Sequence, residues 1–346
     1  MKNKSDYKER VIEFTAGDGF TCNLIHYQSK KKPTKGPVML VHGAGVRANL
    51  FNAPGRNIID MLIEEGYDVW NENWRASIDL PKSQWTLDEA AKYDHPAAVK
   101  TVLKETGSKT MKAIIHCQGS TSFMMSAVAG LVPEVTTIVS NAVSLFPRVP
   151  VKTYIKVLLL TRLLKTITPF LDAKWAEKPD SLLAKGIKLY VNLMYRKCDN
   201  RICRMANFMY GTSTETLWLH SQIDEKVHDW AKDEFAHCST KFLYHIRKCI
   251  TAGQLVSSAN IKGMPKKFAD VTPKTKARFA FFAGEKNLLF LAKGQKKSFE
   301  HFNKIKKNFH TLHIIPGYSH LDIFIGKKSS TEVLPLIIKE LNKNIS

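Results

Sequence analysis

No stretch of this 346-residue chain approaches the roughly 20 consecutive apolar residues that a membrane-spanning helix needs. The opening residues, Met1-Lys-Asn-Lys-Ser-Asp-Tyr-Lys-Glu-Arg10, lack the apolar core of a secretory leader, so a cytoplasmic location is expected. Six cysteines do not cluster as a disulfide framework and read as reduced thiols. Neither G-x-G-x-x-G nor G-x-x-x-x-G-K is found, so no nucleotide cofactor is expected. Acidic residues are scarce, 31 against 52 basic ones, for a net charge of +21. That excess could favour anionic partners, but a lysine-rich solvated surface explains it as well. No nucleic-acid-binding module accompanies the charge, and no nucleic-acid partner is expected.

What is present is an alternation of strand and helix signals. Residues 11–15 and 21–29 alternate apolar and polar around Gly17-Asp-Gly19, which predicts a hairpin with one wet face. The run Gly36-Pro-Val-Met-Leu-Val41 predicts a buried strand ending in a glycine-rich loop, His42-Gly-Ala-Gly45. A helix over roughly 56–65, a strand over 67–74 and a long helix from Thr86 to about residue 106 follow, the last with a Thr86/Glu89 capping box. Further buried strands are expected over 111–116, 135–143, 277–284 and 311–316, with helices near 293–304 and 331–343. Short apolar strands separated by helices argue for an α/β fold with a mainly parallel sheet covered on both faces. The alternation stops between about 145 and 272, where the sequence is helical and aromatic. Residues 1–144 and 273–346 thus read as the core, and 145–272 as an inserted helical cap.

The chain is organised around residues 111–130. An apolar strand, a tight turn at Cys117-Gln118-Gly119 and a small-residue helix form the setting of a nucleophile elbow, here with a thiol. A cysteine at the end of a buried strand is more often a small core hydrophobe. The elbow changes that weighting by lifting the side chain off the sheet toward the positive end of the next helix, which favours thiolate. Ile115 stands where elbows usually carry a small residue and is expected to strain or widen the turn. The N–H groups of Ala44 and Gln118 are the expected oxyanion donors.

His320, in Gly317-Tyr-Ser-His320-Leu-Asp322 after the last strand, is the expected base, because a triad in the order nucleophile, acid, base ends there. His116, neighbour of the nucleophile, is expected to point elsewhere. Spacing from Gly284 places Asn287 at the acid position. A cysteine–imidazole pair needs only an orienting third member, so Cys117, His320 and Asn287 form a consistent set. Glu285 and Asp322 are substitutes if the loop runs differently. Cys198-x4-Cys203 lacks C-x2-C spacing and a matching second pair, so no metal is expected. Residues 149–167 combine apolar and basic residues at helical intervals. They read as an amphipathic helix over the site, with peripheral membrane contact as the rival.

His42-Gly-Ala-Gly-Val-Arg-Ala-Asn49, Gly66-Tyr-Asp-Val-Trp70, Trp74-Arg-Ala-Ser77, His116-Cys-Gln-Gly-Ser120, Cys198-Asp-Asn200 and Gly317 to Gly326 together resemble one α/β-hydrolase group. These are the hydrolase domains found beside or fused to glucose–methanol–choline oxidoreductases of the cholesterol-oxidase-like type. The resemblance covers about residues 10–341 and implies an α/β-hydrolase fold and a partner oxidoreductase. With no flavin fingerprint, it does not imply oxidase activity. More distantly, His320-Leu-Asp322 is similar to acid lipases. The cysteine elbow resembles polyhydroxyalkanoate synthases and dienelactone hydrolases. The expected activity is hydrolysis of an ester, thioester or lactone of an apolar acyl or sterol-like substrate through an acyl-cysteine. Acyl transfer to a hydroxyl or amine, and a non-catalytic binding protein, are the alternatives.

Overall fold

The computed structural model describes residues 7–343. Eight strands form one sheet: β1 (Tyr7–Thr15), β2 (Thr21–Ser29), β3 (Pro37–Val41), β4 (Asp68–Asn73), β5 (Met111–His116), β6 (Val135–Asn141), β9 (Arg278–Gly284) and β10 (Thr311–Ile315). Between β6 and β9 in the chain, β7 (Phe170–Asp172) and β8 (His237–Ser239) form a separate antiparallel pair. The large sheet has the order β1-β2-β4-β3-β5-β6-β9-β10. The β1–β2 hairpin is antiparallel and joins antiparallel to β4, and every later pairing is parallel.

Burial follows the sequence pattern. All five residues of β3 and all seven of β9 are buried, as continuous apolar strands between two helical layers must be. β1 is an edge, and Lys8, Glu9, Arg10 and Glu13 on it are exposed charges of the kind that keep an edge from pairing with another chain. The flanking helices are α1 (Ile58–Glu64), α2 (His95–Thr106), α3 (Cys117–Ala129), α8 (Ala292–Ile305) and α9 (Leu334–Asn342), with α4 (Val151–Ile167), α5 (Leu182–Met194), α6 (Arg201–Tyr210) and α7 (Thr240–Ala252) in the segment between β6 and β9. Phe279, Phe281 and Phe282 of β9 are wholly buried, each contributing about 1.5–3 kcal/mol through its removal from water. At the lower end of the sheet, Glu340 of α9 accepts from Arg278 at 2.8 Å, His313 at 2.9 Å and Thr311 at 3.0 Å, tying that helix to β9 and β10.

The helix expected from Thr86 to 106 is continuous but not uniform. Glu89 accepts from the Thr86 N–H and from its hydroxyl at 2.6 Å, so the capping interaction forms. Residues 90–94 then take a wider π turn before α2. Pro96 sits just beyond; its ring has no N–H to donate and crowds the preceding turn, which the wider turn accommodates.

The segment between β6 and β9 carries α4 (Val151–Ile167), α5 (Leu182–Met194), α6 (Arg201–Tyr210) and α7 (Thr240–Ala252). The β7–β8 pair, not anticipated in a segment read as helical, clips the start of this region to its end. Three-residue strands are too short to show a period of two. Among the described residues, no helix is long and apolar enough to cross a membrane.

Candidate functional site

β5 runs from Met111 to His116 and α3 begins at Cys117 without an intervening loop. Cys117 has φ +55°, in the left-handed region that a non-glycine residue occupies only when its surroundings hold it there. Gly119 makes the sharp bend feasible, since a Cβ at that position would lie 2.2 Å from the His42 carbonyl oxygen. Ile115 neither widens nor frays the turn. It pairs with Val41 and Ser140, and the ladder continues to His116 against Asn141.

His320 lies in the loop after β10. Gly284, the last residue of β9, lets that loop approach, because a Cβ there would meet the Ser319 carbonyl at 2.1 Å. The Asn287 amide nitrogen is 3.2 Å from His320 Nδ1. Its oxygen accepts from the N–H groups of Leu289 and Phe290, both at 3.0 Å. The amide is therefore oriented: it donates to His320 Nδ1, and the neutral ring carries its hydrogen on Nε2.

The substitute acids do not reach the ring. Glu285 accepts from the Gly317 N–H at 3.2 Å and lies beside Lys286, half exposed. Asp322 is buried, accepts from the N–H groups of Ser319 at 2.8 Å and Leu219 at 3.4 Å, and has its pKa pushed up to about 7 by burial. Both shape the loop that carries His320.

His116 does not point elsewhere. Its ring centroid is 4.6 Å from that of His320, and the Cys117 sulfur and one ring nitrogen from each histidine lie within 4.8 Å of one another. Its Nδ1 takes a 2.9 Å hydrogen bond from the Asn141 amide, whose oxygen has no partner among the described residues, and its Nε2 is buried and unpaired. Asn141 can turn its oxygen to that ring without losing another bond, which Asn287 cannot. Strand alternation hid this contact, because the elbow swings Cys117 back toward the face that His116 occupies.

The electrostatics differ from a preformed thiolate–imidazolium pair. Burial pushes the Cys117 thiol up to about 12, opposed only by the Gln118 N–H. Burial pulls His320 down to about 3 and holds His116 well below the usual histidine range, with His320 and His42 adding repulsion. Desolvation therefore outweighs the helix N-terminus, and thiol and imidazoles rest neutral.

The glycine-rich loop after β3 lies against this cluster. Tyr210 donates to the Ala44 carbonyl at 2.7 Å, and the Trp74 indole donates to the His42 carbonyl at 3.0 Å. Among the described residues, no oxygen accepts from the N–H of Ala44 or of Gln118. A small cavity lined by Ala44, His116, Cys117, Tyr210, Leu289 and His320 opens at the sulfur. Tyr210 and Leu289 also line a neighbouring apolar cavity, lined in addition by Gln118 and walled by α4, α6 and α7. Its one lysine, Lys156, donates to the Gly211 carbonyl at 2.8 Å and to that of Phe208, and burial pulls its pKa down to about 7.

Two further constellations were not assembled from the sequence. Ser122, His95 and Glu72 form a relay, with His95 Nε2 2.7 Å from the serine hydroxyl and Nδ1 2.9 Å from the carboxylate. All three side chains are fully buried and line neither cavity, so the relay braces α3 against β4 and α2. Separately, Cys198 and Cys203, which lacked a second pair by spacing, meet His220 and His228. The signal available was the His220-x7-His228 spacing.

Comparisons with known proteins agree with this architecture. No family model matches the chain. Human lipase member K is 26% identical over 371 residues, covering 98% of this chain and 89% of that protein. Sterol esterase 2 of Saccharomyces cerevisiae is 29% identical over 147 residues, covering 36% of this chain and 27% of that protein. A soluble variant of monoglyceride lipase from Saccharomyces cerevisiae, solved with a substrate analogue, aligns at a TM-score of 0.64 and 15% identity, covering all of this chain and 97% of that one. The chain has the α/β-hydrolase fold, with a mostly parallel central sheet flanked by helices. The comparisons carry the superfamily and the fold; they carry neither the link to oxidoreductases nor the sulfur nucleophile.

Proposed function

We propose that this protein is a lipase- or esterase-type hydrolase that cleaves carboxylic esters of apolar acyl or sterol-like groups through an acyl-cysteine at Cys117. The observation that carries the proposal is a strained cysteine at an elbow, within 4.8 Å of two histidine nitrogens, lining a small cavity that shares Tyr210 and Leu289 with a larger apolar one. The thiol proton passes to the imidazole pair as sulfur bonds to the ester carbonyl carbon. The carbonyl oxygen takes up the negative charge opposite the N–H groups of Ala44 and Gln118. Collapse breaks the carbon–oxygen bond, and the leaving alkoxide takes the proton back. Water, deprotonated by the same imidazole, then attacks the thioester; the carbon–sulfur bond breaks, and the leaving thiolate takes the proton back from the imidazolium.

His320 can accept the thiol proton at Nε2 only if its ring hydrogen moves to Nδ1. Asn287 must then turn its oxygen inward and release Leu289 and Phe290. His116 requires only the turn of Asn141, which makes His116 a working partner of His320 in the proton transfer. The apolar cavity takes the acyl chain. The outward stripe Val151, Ile155, Leu159, Leu163 and Ile167 on α4 supports contact with a lipid surface. Intact-mass detection of an acyl adduct on Cys117 after mixing with a nitrophenyl ester tests the proposal, and full turnover by Cys117→Ala overturns it.

The neutral resting thiol favours a second reading, a ligand-binding protein that retains the fold without turnover. Rapid alkylation of Cys117 near neutral pH excludes that reading; inertness in the folded protein together with absent turnover selects it.

A further inference from the structure

The four donors Cys198, Cys203, His220 and His228 come from four local elements. Cys198 lies in the turn after α5, Cys203 in the first turn of α6, His220 in the 3-10 turn His220–Gln222, and His228 in the short helix Glu225–Trp230. One donor atom from each lies within 4.8 Å of all the others. The Cys198 sulfur is 3.5 Å from His228 Nε2, and the Cys203 sulfur is 3.5 Å from His220 Nε2. Metal–sulfur bonds of about 2.3 Å and metal–nitrogen bonds of about 2.05 Å at the tetrahedral angle put sulfur and nitrogen about 3.6 Å apart. Both observed edges match that length. A lone thiol–imidazole hydrogen bond would explain one such edge but not two pairs converging on a single point.

The surroundings suit a metal. The Asn207 amide donates to the Cys203 sulfur at 3.3 Å, as charge on a ligating thiolate requires. The Glu215 carboxylate lies 3.8 Å from His220 Nδ1, on the side of that ring away from the sulfur. The Asn200 side chain accepts from the Cys203 N–H at 2.9 Å and donates to the His228 carbonyl at 3.3 Å, joining the two halves. Trp218 packs edge-on to both rings, at 6.5 and 5.8 Å between centroids. The thiols are buried while the imidazoles are only part-buried, which leaves a path for entry.

We infer that these residues form a closed, structural Cys2His2 zinc site. Two thiolates balance the charge of Zn²⁺, and four protein ligands leave no position for water, so the site is not a catalytic one. Its place in the fold defines its role. Leu321 donates to the Leu217 carbonyl at 2.8 Å, Leu219 donates to Asp322, and Gln222 donates to the Gly317 carbonyl at 3.1 Å. The segment bearing His220 is thus laced to the loop bearing His320. Zinc fastens that segment to α6 and so holds the insertion against the candidate site.

The full chain, prepared in reductant with zinc supplied, tests the inference by elemental analysis and gel filtration. About one zinc per chain is expected, retained by Cys117→Ala and by Ser122→Ala and lost to below a tenth in Cys203→Ser and His228→Asn. Replacement of zinc by cobalt(II) in the unmutated protein should give thiolate-to-cobalt charge transfer and the intense ligand-field bands of a tetrahedral S2N2 set, a readout that needs no variant to fold. The inference is overturned if the reduced protein takes up neither zinc nor cobalt. It is also overturned if Cys117→Ala abolishes uptake, which would place the metal at the other cysteine–histidine cluster.

Discussion

Two groups of cysteine and histidine lie in different parts of this molecule, and their geometries differ. The first, Cys117 with His116 and His320, sits on the end of the central sheet. It has three donors, a strained backbone at the sulfur, histidines held by asparagine amides and a cavity beyond. The second, Cys198, Cys203, His220 and His228, sits in the segment between β6 and β9, has four donors within 4.8 Å of one another and has its own supporting polar groups. Residue type alone does not separate the two. Coordination number and access do: a group meant for chemistry keeps an open side, and a group meant for stability closes it.

The sharpest way to break the comparison is to remove each sulfur. Cys117→Ala should lower kcat on short nitrophenyl esters by about 10³-fold or more with the fold intact, as loss of a nucleophile does. Cys117→Ser should restore little, because the alcohol lacks a base backed by a carboxylate. Circular dichroism alongside stopped-flow rates separates lost chemistry from lost structure.

A subtler intervention changes the proton's partner. Asn287→Asp keeps an oxygen for Leu289 and Phe290 and turns a second oxygen on His320 Nδ1. The ring hydrogen then moves to Nδ1, leaving a lone pair on Nε2, and the imidazole pKa rises from about 3 toward its ordinary value. A gain of about tenfold in kcat/KM near pH 8 is expected, with a new acid limb where protonation of the ring removes the base. A pH–rate profile lacking that limb would remove Asn287 from the proton path.

Metal removal by a chelator should lower Tm by roughly 5–10 °C, since a structural ion adds its binding energy to folding. The same treatment should leave the alkylation rate of Cys117 within a few-fold of the untreated value. Equal loss of both readouts would merge the two clusters into one functional unit.

The insertion offers two smaller tests. Lys156 has a folded pKa near 7, below the ordinary value of about 10.4. Between those limits the unfolded chain binds more protons, so this group makes stability rise with pH from about 7 to 10 and adds no slope below. Lys156→Met should flatten that rise, read as the urea midpoint at pH 7 and pH 10. Smallest in effect, Leu159→Glu with Leu163→Glu should reduce retention on anionic vesicles by about two- to threefold. Hydrolysis of a soluble ester should be unchanged.

Much of the candidate site was legible because its parts are local. The apolar run of β5, the small residues of α3 and the glycine after Cys117 carry the elbow, and Asn287 lies at a fixed distance from the end of β9. The tautomer of His320 was not legible, because it depends on two backbone N–H groups that close on the Asn287 oxygen. Nor was the neutral state of Cys117, since burial by the insertion overrides the favourable helix end. The Ile115 side chain, expected to disturb the turn, fits because β3 and β6 flank it on both sides in register.

By itself, then, the sequence determined the order of strands and helices outside residues 145–272, the wet face of the first hairpin and the turn at which a thiol is exposed to strain. These follow from the period of apolar residues and the conformational limits of single residues, which act within a few positions. Only the tertiary structure decided that His116 joins Cys117 and His320, and that His220 and His228 meet Cys198 and Cys203. Contacts between residues 117 and 320, or 198 and 228, are set by how helices stack on a sheet, and no short-range rule encodes that distance.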